Sequence, residues 1–200
     1  TYGGTGTLLV NVKKETGTGA VSFQWYKVED GKETAVGGAT TKNQFDLSAQ
    51  KLPAGNHTFR FLATCDGYEK MSEDIAVTVQ KADIRSITPP TAQENLTYTG
   101  QEQALITAGS VANYGTMQYS LTENGTYSPD IPTGTDAGAY TVWYRVIGDE
   151  NHNDTAPASV AVRIGQKPLT ITGVTAASKL YDGTTNADIS SITFDNVTLN

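Results

Sequence analysis

The chain has 200 residues, with 14 Lys and Arg against 21 Asp and Glu for a net charge of −7, 20 Gly, 7 Pro and one cysteine. That length suits one large domain or two ordinary ones. The scattered basic residues argue against nucleic acid, whose phosphates need clustered Lys and Arg, and no run approaches the roughly 18 apolar residues of a membrane-spanning helix.

The first motif, GGTG at 3–6, is glycine-rich but is followed by neither a helical pattern nor Gly-Lys-Ser/Thr. It reads as a flexible lead-in to a strand and not as a phosphate loop. Beyond it, Leu8-Val10-Val12, Phe23-Trp25 and Phe59-Phe61-Ala63 show period-two alternation or short β-rich runs. Residues 76–79 add a short β-rich run. Gly, Asn, Asp and Pro clusters punctuate these runs, and no segment has a helical period. About seven short strands per ~80 residues predict a β-sandwich.

The chain repeats itself. AGNHTFRFLATCD (54–66) aligns without gaps on AGAYTVWYRVIGD (137–149), SFQWYK (22–27) resembles TMQYSL (116–121), and IAVTVQKA (75–82) matches SVAVRIGQKP (159–168). Two related domains are expected at 1–81 and 82–166, with a third, incomplete unit at 167–200. A chain that starts at Thr1 without Met or a leader-like stretch reads as a segment of a longer polypeptide.

Residues 135–146, TDAGAYTVWYRV, set Asp136, Gly138 and Tyr140 in the D-x-G-x-Y-x-C spacing of strand F in an immunoglobulin domain, with Val142 where the cysteine would stand. Strand alternation then turns Tyr140, Val142, Tyr144 and Val146 inward and Trp143 and Arg145 outward. The Tyr140 hydroxyl is placed to bond back to upstream backbone, and His57 holds the equivalent place in the first unit. Cys65, the lone cysteine, excludes an intramolecular disulfide and is expected as a small buried hydrophobe. Buried rings at Phe23, Trp25, Phe59 and Phe61 would supply the lost cross-link's few kcal/mol.

LTYTGQEQALITAG (96–109) and the stretch 115–155 resemble the MBG-type immunoglobulin-like repeats of Gram-positive surface proteins. KPLTITGVTAASKLYDGTT (167–185) resembles the start of a YDG domain, through Tyr181-Asp182-Gly183. Residues 1–81 resemble bacterial immunoglobulin-like domains more loosely, through FQWYK (23–27). The resemblance implies an all-β chain of tandem immunoglobulin-like sandwiches without disulfides, in an extracellular, wall-attached stalk or adhesin. It implies no catalytic residues.

The chemistry-bearing residues are sparse. His57 and His152 stand about a domain apart, and His57 and Cys65 lie eight residues apart on one strand, too far for a dyad. No catalytic set and no cofactor site is expected. Asp149, Asn151 and Asn153 in DENHND (149–154) open like a calcium loop, but Asp154 replaces the sixth-position Gly and Val160 the twelfth-position Glu, so a polar turn is the expectation. Trp143 and Arg145, on the face that carries Gln118, and Tyr26 are candidate ligand contacts, with packing or a cation–π pair as the alternative. Asn-x-Ser/Thr occurs at Asn56, Asn95, Asn124, Asn153 and Asn196, as a Thr-rich chain produces by chance.

The leading expectation is therefore a non-enzymatic cell-surface stalk or adhesion segment. The alternatives are a glycan- or protein-binding module, with an unknown host or cell-surface ligand, and an accessory region of a surface hydrolase. Residues 167–200 offer strands near Leu169–Ile171, Ile189–Ile192 and 194–199, too few for a sandwich. They are expected to dock on the second unit or on a second copy.

Overall fold

A computed structural model describes residues 1–13 and 18–194. Among the described residues the fold is all-β: its strands pair antiparallel, and its one helical element is a 3-10 turn at Ser48–Gln50. The predicted strand at 194–199 and Asn196 lie outside the described residues, apart from Phe194.

The first unit is built on a five-stranded sheet. Its centre is β5 (Gly55–Cys65), flanked by β2 (Ser22–Glu29), with β3 (Lys32–Thr40) beyond, and on the other side by β6 (Tyr68–Met71) and β7 (Ile75–Val79). The last two are one edge broken in the middle. Phe61 N donates to Ser72 Oγ at 3.0 Å and Ser72 N to Phe61 O at 2.8 Å, which anchors the break. A ribbon of β1 (Thr7–Leu9) and β4 (Gln44–Asp46) lies over this sheet. Between the layers sit Val10, Phe23, Trp25, Phe45, Leu52 and Phe59. Phe59 is fully buried, and the Phe45 ring of the ribbon stacks on Trp25 at 4.7 Å and 17°.

The second unit has its own core. Here β13 (Gly115–Ser120), β15 (Gly138–Gly148) and β16 (Ala158–Ile164) form the main sheet. The facing layer is split into three short pairs. In these, β8 (Ile87–Thr88) pairs with β12 (Ser110–Val111), β9 (Thr91–Ala92) with β11 (Ile106–Thr107), and β10 (Gln103–Ala104) with β14 (Thr133–Gly134). Leu105, Ile106, Met117, Tyr119, Val142, Val146, Val162 and Ile164 fill the space between. Leu105 and Ile106 are consecutive yet both buried, because the chain switches partner between β10 and β11. Along β15 successive side chains turn to opposite faces, with Val142 and Val146 buried and Thr141 exposed.

The corner at the start of the central strand is present in both units. Tyr140 donates its hydroxyl to Asp136 O at 2.8 Å, and His57 Nε2 meets Pro53 O at 2.8 Å, each reaching back four residues. The histidine thus makes the same backward bond with a different ring. Cys65 departs from expectation. It is half-buried at the end of β5, its Sγ 3.5 Å from Gly19 O and 3.5 Å from Asp66 Oδ2.

The tail forms a hairpin of β17 (Ile171–Ala176) and β18 (Ile189–Phe194). These strands pair with each other and with no other strand among the described residues. Ile171, Val174, Ile189 and Ile192 are exposed, so the hairpin does not bury its apolar side chains on the second unit as expected.

Candidate functional site

DENHND, first noticed for its ligand-like spacing, is the place where the two units meet. β15 ends at Gly148, and the chain folds back so tightly that a Cβ at Gly148 would lie 2.2 Å from His152 O. Only glycine permits that approach. Asp154 Oδ1 accepts from Gly148 N at 2.9 Å, closing the loop.

The linker between units is bound into this loop along its backbone. Ala82 N donates to Asn151 O and Asn153 N donates to Ala82 O, both at 2.9 Å. Lys81 Nζ reaches Asp149 O at 3.0 Å and His152 O at 3.3 Å, and Asn153 Nδ2 donates to Asp83 Oδ1 at 2.9 Å. Asn151 Oδ1 accepts from Ala54 N in the first unit at 2.8 Å. His152 plugs the centre, only 7% exposed. Its ring lies edge-on to Tyr2 of the first unit at 5.5 Å and against Tyr114 of the second at 4.6 Å. Its Nδ1 lies 2.7 Å from Asp149 Oδ1.

These bonds engage two of the side-chain oxygens that a calcium ion would use, Asp149 Oδ1 and Asn151 Oδ1. Asp149 Oδ1 faces His152 Nδ1 and also accepts from Asn151 N at 2.8 Å, and Asn151 Oδ1 is turned to Ala54. The three nominated side chains thus point to separate protein partners. Among the described residues no group of three or more His, Cys, Asp or Glu gathers in a metal-binding arrangement.

The His152 hydrogen bond, helped by the Asn151 amide, holds the Asp149 carboxyl below the usual carboxylate range. A lowered folded-state pKa adds stability that is present above the unfolded value of about 3.9 and lost as pH falls through the folded value. At neutral pH the protein is therefore expected to melt higher than Asp149→Asn. The two thermal midpoints should begin to approach each other as pH drops below about 4 and meet only once it falls below the folded value. A gap that persists in acid would show that the carboxylate's charge is not what stabilises the loop.

The second group of candidates lies on the outer face of the second sheet. Trp143 is half-buried there, opposite Ser120 and Ser159. Arg145 is covered by its own chain: its guanidinium sits 4.3 Å from the centre of the Tyr127 ring, and Nη2 donates to Gln118 Oε1 at 3.4 Å. Arg145 Nε is buried without a hydrogen-bond partner. The 121–130 segment reaches this face through a bridge between Ser128 and Tyr119. Tyr26, half-buried in the first unit, stands opposite Arg60, whose Nη1 and Nε bond Glu33 and Asp74 at 2.7 and 2.5 Å. Trp143 with Arg145 and Tyr26 belong to different units and form no common site. His57 and Cys65 occupy opposite ends of β5.

Two features escaped the sequence reading. One is His152, whose burial depends on Tyr2 and Tyr114, far away in the chain. The other is a turn shared by the second unit and the tail. In Tyr98-Thr99-Gly100, Thr99 Oγ1 accepts from Gln101 N at 3.3 Å and Gly100 has φ +77°. In Tyr181-Asp182-Gly183, Asp182 Oδ1 accepts from Thr184 N at 2.9 Å and Gly183 has φ +78°. The strands around each turn also correspond: β8–β12 and β9–β11 on one side, β17–β18 on the other. The two hairpins thus share a turn geometry and an antiparallel pairing on either side of it.

Residues 165–199 match the model of the YDG domain family. No curated protein matches the chain.

Proposed function

We propose that the chain is a non-enzymatic spacer in an extracellular surface protein. In this reading, tandem immunoglobulin-like modules, the middle one of MBG type, hold a functional region away from a bacterial cell wall. Attachment to the wall and any host or glycan ligand would belong to regions outside this segment. The observation that carries the reading is the joint. A linker hydrogen-bonded on both sides of Ala82 and a plug of His152 between Tyr2 and Tyr114 favour a fixed angle between units. Neighbouring domains default to relative motion unless something restrains them, and a spacer needs that restraint. The binding-module alternative needs an open aromatic face, whereas Tyr127 and Gln118 already engage Arg145 beside Trp143.

Distance measurement between spin labels decides the matter. With Cys65→Ser as background, labels at exposed Tyr68 and Leu121 report on the two units. One narrow distance distribution is expected, broadening in the Lys81→Ala, Asn151→Ala double variant. A broad distribution before the joint is altered would sink the spacer reading.

A further inference from the structure

The joint also sets the route by which a pulling force crosses the second unit. The chain enters that unit at Ala82 and leaves it at Gly165, just after β16. Tension along the molecule is therefore applied at those two points.

Ala82 and His152 form a parallel bridge, in which Ala82 N donates to Asn151 O and Asn153 N to Ala82 O, both at 2.9 Å. Under tension Ala82 is drawn toward Lys81 and the loop toward Asp154. In a parallel pair these directions are opposite, so the two segments slide along each other. Both bonds lie across that slide and are strained together. An antiparallel pair drawn from one end would open bond by bond instead.

Side chains on either side of Ala82 strengthen the same lock. Lys81 Nζ bonds Asp149 O and His152 O, and Asn153 Nδ2 donates to Asp83 Oδ1. From this loop the covalent chain runs through β16 to Gly165, and β16 is paired to β15 from Ala158 to Ile164. Load taken at Ala82 thus crosses by residues 153–165 and bypasses 83–148. Leu105, Met117, Val142 and Val146 of the core all lie in the bypassed stretch. Without the lock, the pull would run along 83–96, where β8 and β9 hold on by two residues each. It would then fall on the bridge of Thr97 with Gly165, which rests on Tyr98 N to Gly165 O and Gly165 N to Leu96 O.

We propose that the Ala82 bridge is a mechanical clamp, which passes tension from the first unit into β16 and keeps it off the core of the second. The clamp rests on the spacer reading and deepens it, since a spacer that holds a region away from a wall is pulled along its length. A fixed angle needs bonds of any direction, whereas a clamp needs them across the line of pull.

Single-molecule pulling of the full chain at constant force tests this, with Cys65→Ser as background and a handle at each terminus. Ala82→Pro removes the amide that bonds Asn151 O. Lys81→Ala with Asn153→Ala removes the side-chain bonds and leaves the backbone pair. Forced unfolding follows the unfolding rate, so each variant should shorten the lifetime of the second unit by about tenfold or more. The unfolding event of the first unit should keep its lifetime. Moving one handle to exposed Glu123→Cys sends the load from there to the C-terminal end without crossing Ala82. In that geometry parent and variants should last equally long. Unchanged lifetimes in the end-to-end pull would overturn the clamp. So would an equal shortening in both geometries, which marks a merely structural role. Spin-label distances are read without load, so a narrow distribution with unchanged lifetimes would remove the clamp and leave the spacer standing.

Discussion

Val142→Asp is expected to lower the melting midpoint of the second unit sharply while leaving that of the first unchanged. Val142 is fully buried, packed among Leu105, Ile106, Val146 and Ile164, and among the described residues that core holds no cation to meet a carboxylate. A buried unpaired charge belongs to the small class of substitutions that cost about 4 kcal/mol or more. For a unit of this size that lowers the midpoint by roughly 15–30 °C. Thr141→Asp is the control. Its side chain is one residue away on the exposed face, so its effect should stay within about 0.5 kcal/mol. Differential scanning calorimetry of the two variants reads the facing of β15 directly, and equal midpoints would show it to be wrong. The first unit should survive because Phe59 and its neighbours form a separate core.

That facing was legible in the sequence for a simple reason. A strand buried on one side has a period of two, and D-x-G-x-Y fixes which residue of the pair turns inward. Val142, Phe59 and the Tyr140 bond to Asp136 all follow from local pattern. The opposite layer was not legible. Pro89 and Pro90 separate β8 from β9, and Leu105 with Ile106 breaks the alternation where the chain changes partner. Two-residue strands carry too few side chains to display a period. The joint was less legible still. Asn151 bonds Ala54, 97 residues away, and nothing local to DENHND distinguishes a loop that receives a linker from one that holds a cation. The tail was readable as the start of a further module. Its correspondence with β8–β12 and β9–β11 was hidden, because the two turns share only Tyr-x-Gly and rely on Thr in one place and Asp in the other.

The two cores are also held together differently. The second relies on aliphatic side chains, with Tyr119 as its buried ring, whose hydroxyl accepts from Gly109 N at 3.0 Å. Burial there pushes the Tyr119 phenol above its usual range, as expected of a group whose charged form is excluded from water. The first relies on rings. Phe45 of the ribbon contacts Trp25 at 4.7 Å and Phe59 at 5.5 Å, and Phe61 contacts Phe23 at 5.7 Å and Trp25 at 5.3 Å. Two of these contacts run from one layer to the other, as an inter-sheet disulfide would. The Trp25 indole N–H is buried there without a partner, so this core's stability comes from contact and not from hydrogen bonding.

Phe59→Ala should therefore be the most damaging single truncation in the first unit. The side chain is fully buried in the middle of β5 and bridges to the ribbon through Phe45. Removing it forfeits the transfer free energy of a phenyl ring and leaves a cavity that the rigid rings around it cannot close. Such changes cost about 3–5 kcal/mol, more than the typical 2–4 kcal/mol contribution of a disulfide. Phe61→Ala is the comparison. Phe61 touches Phe23 and Trp25 but is only half-buried, so its loss should cost clearly less. Urea unfolding followed by Trp25 fluorescence separates the two, because Trp25 lies in this core and Trp143 in the other unit. If Phe59→Ala proved milder than Phe61→Ala, the bridge between layers would run through Trp25 and Phe45 alone, and Phe59 would be filler.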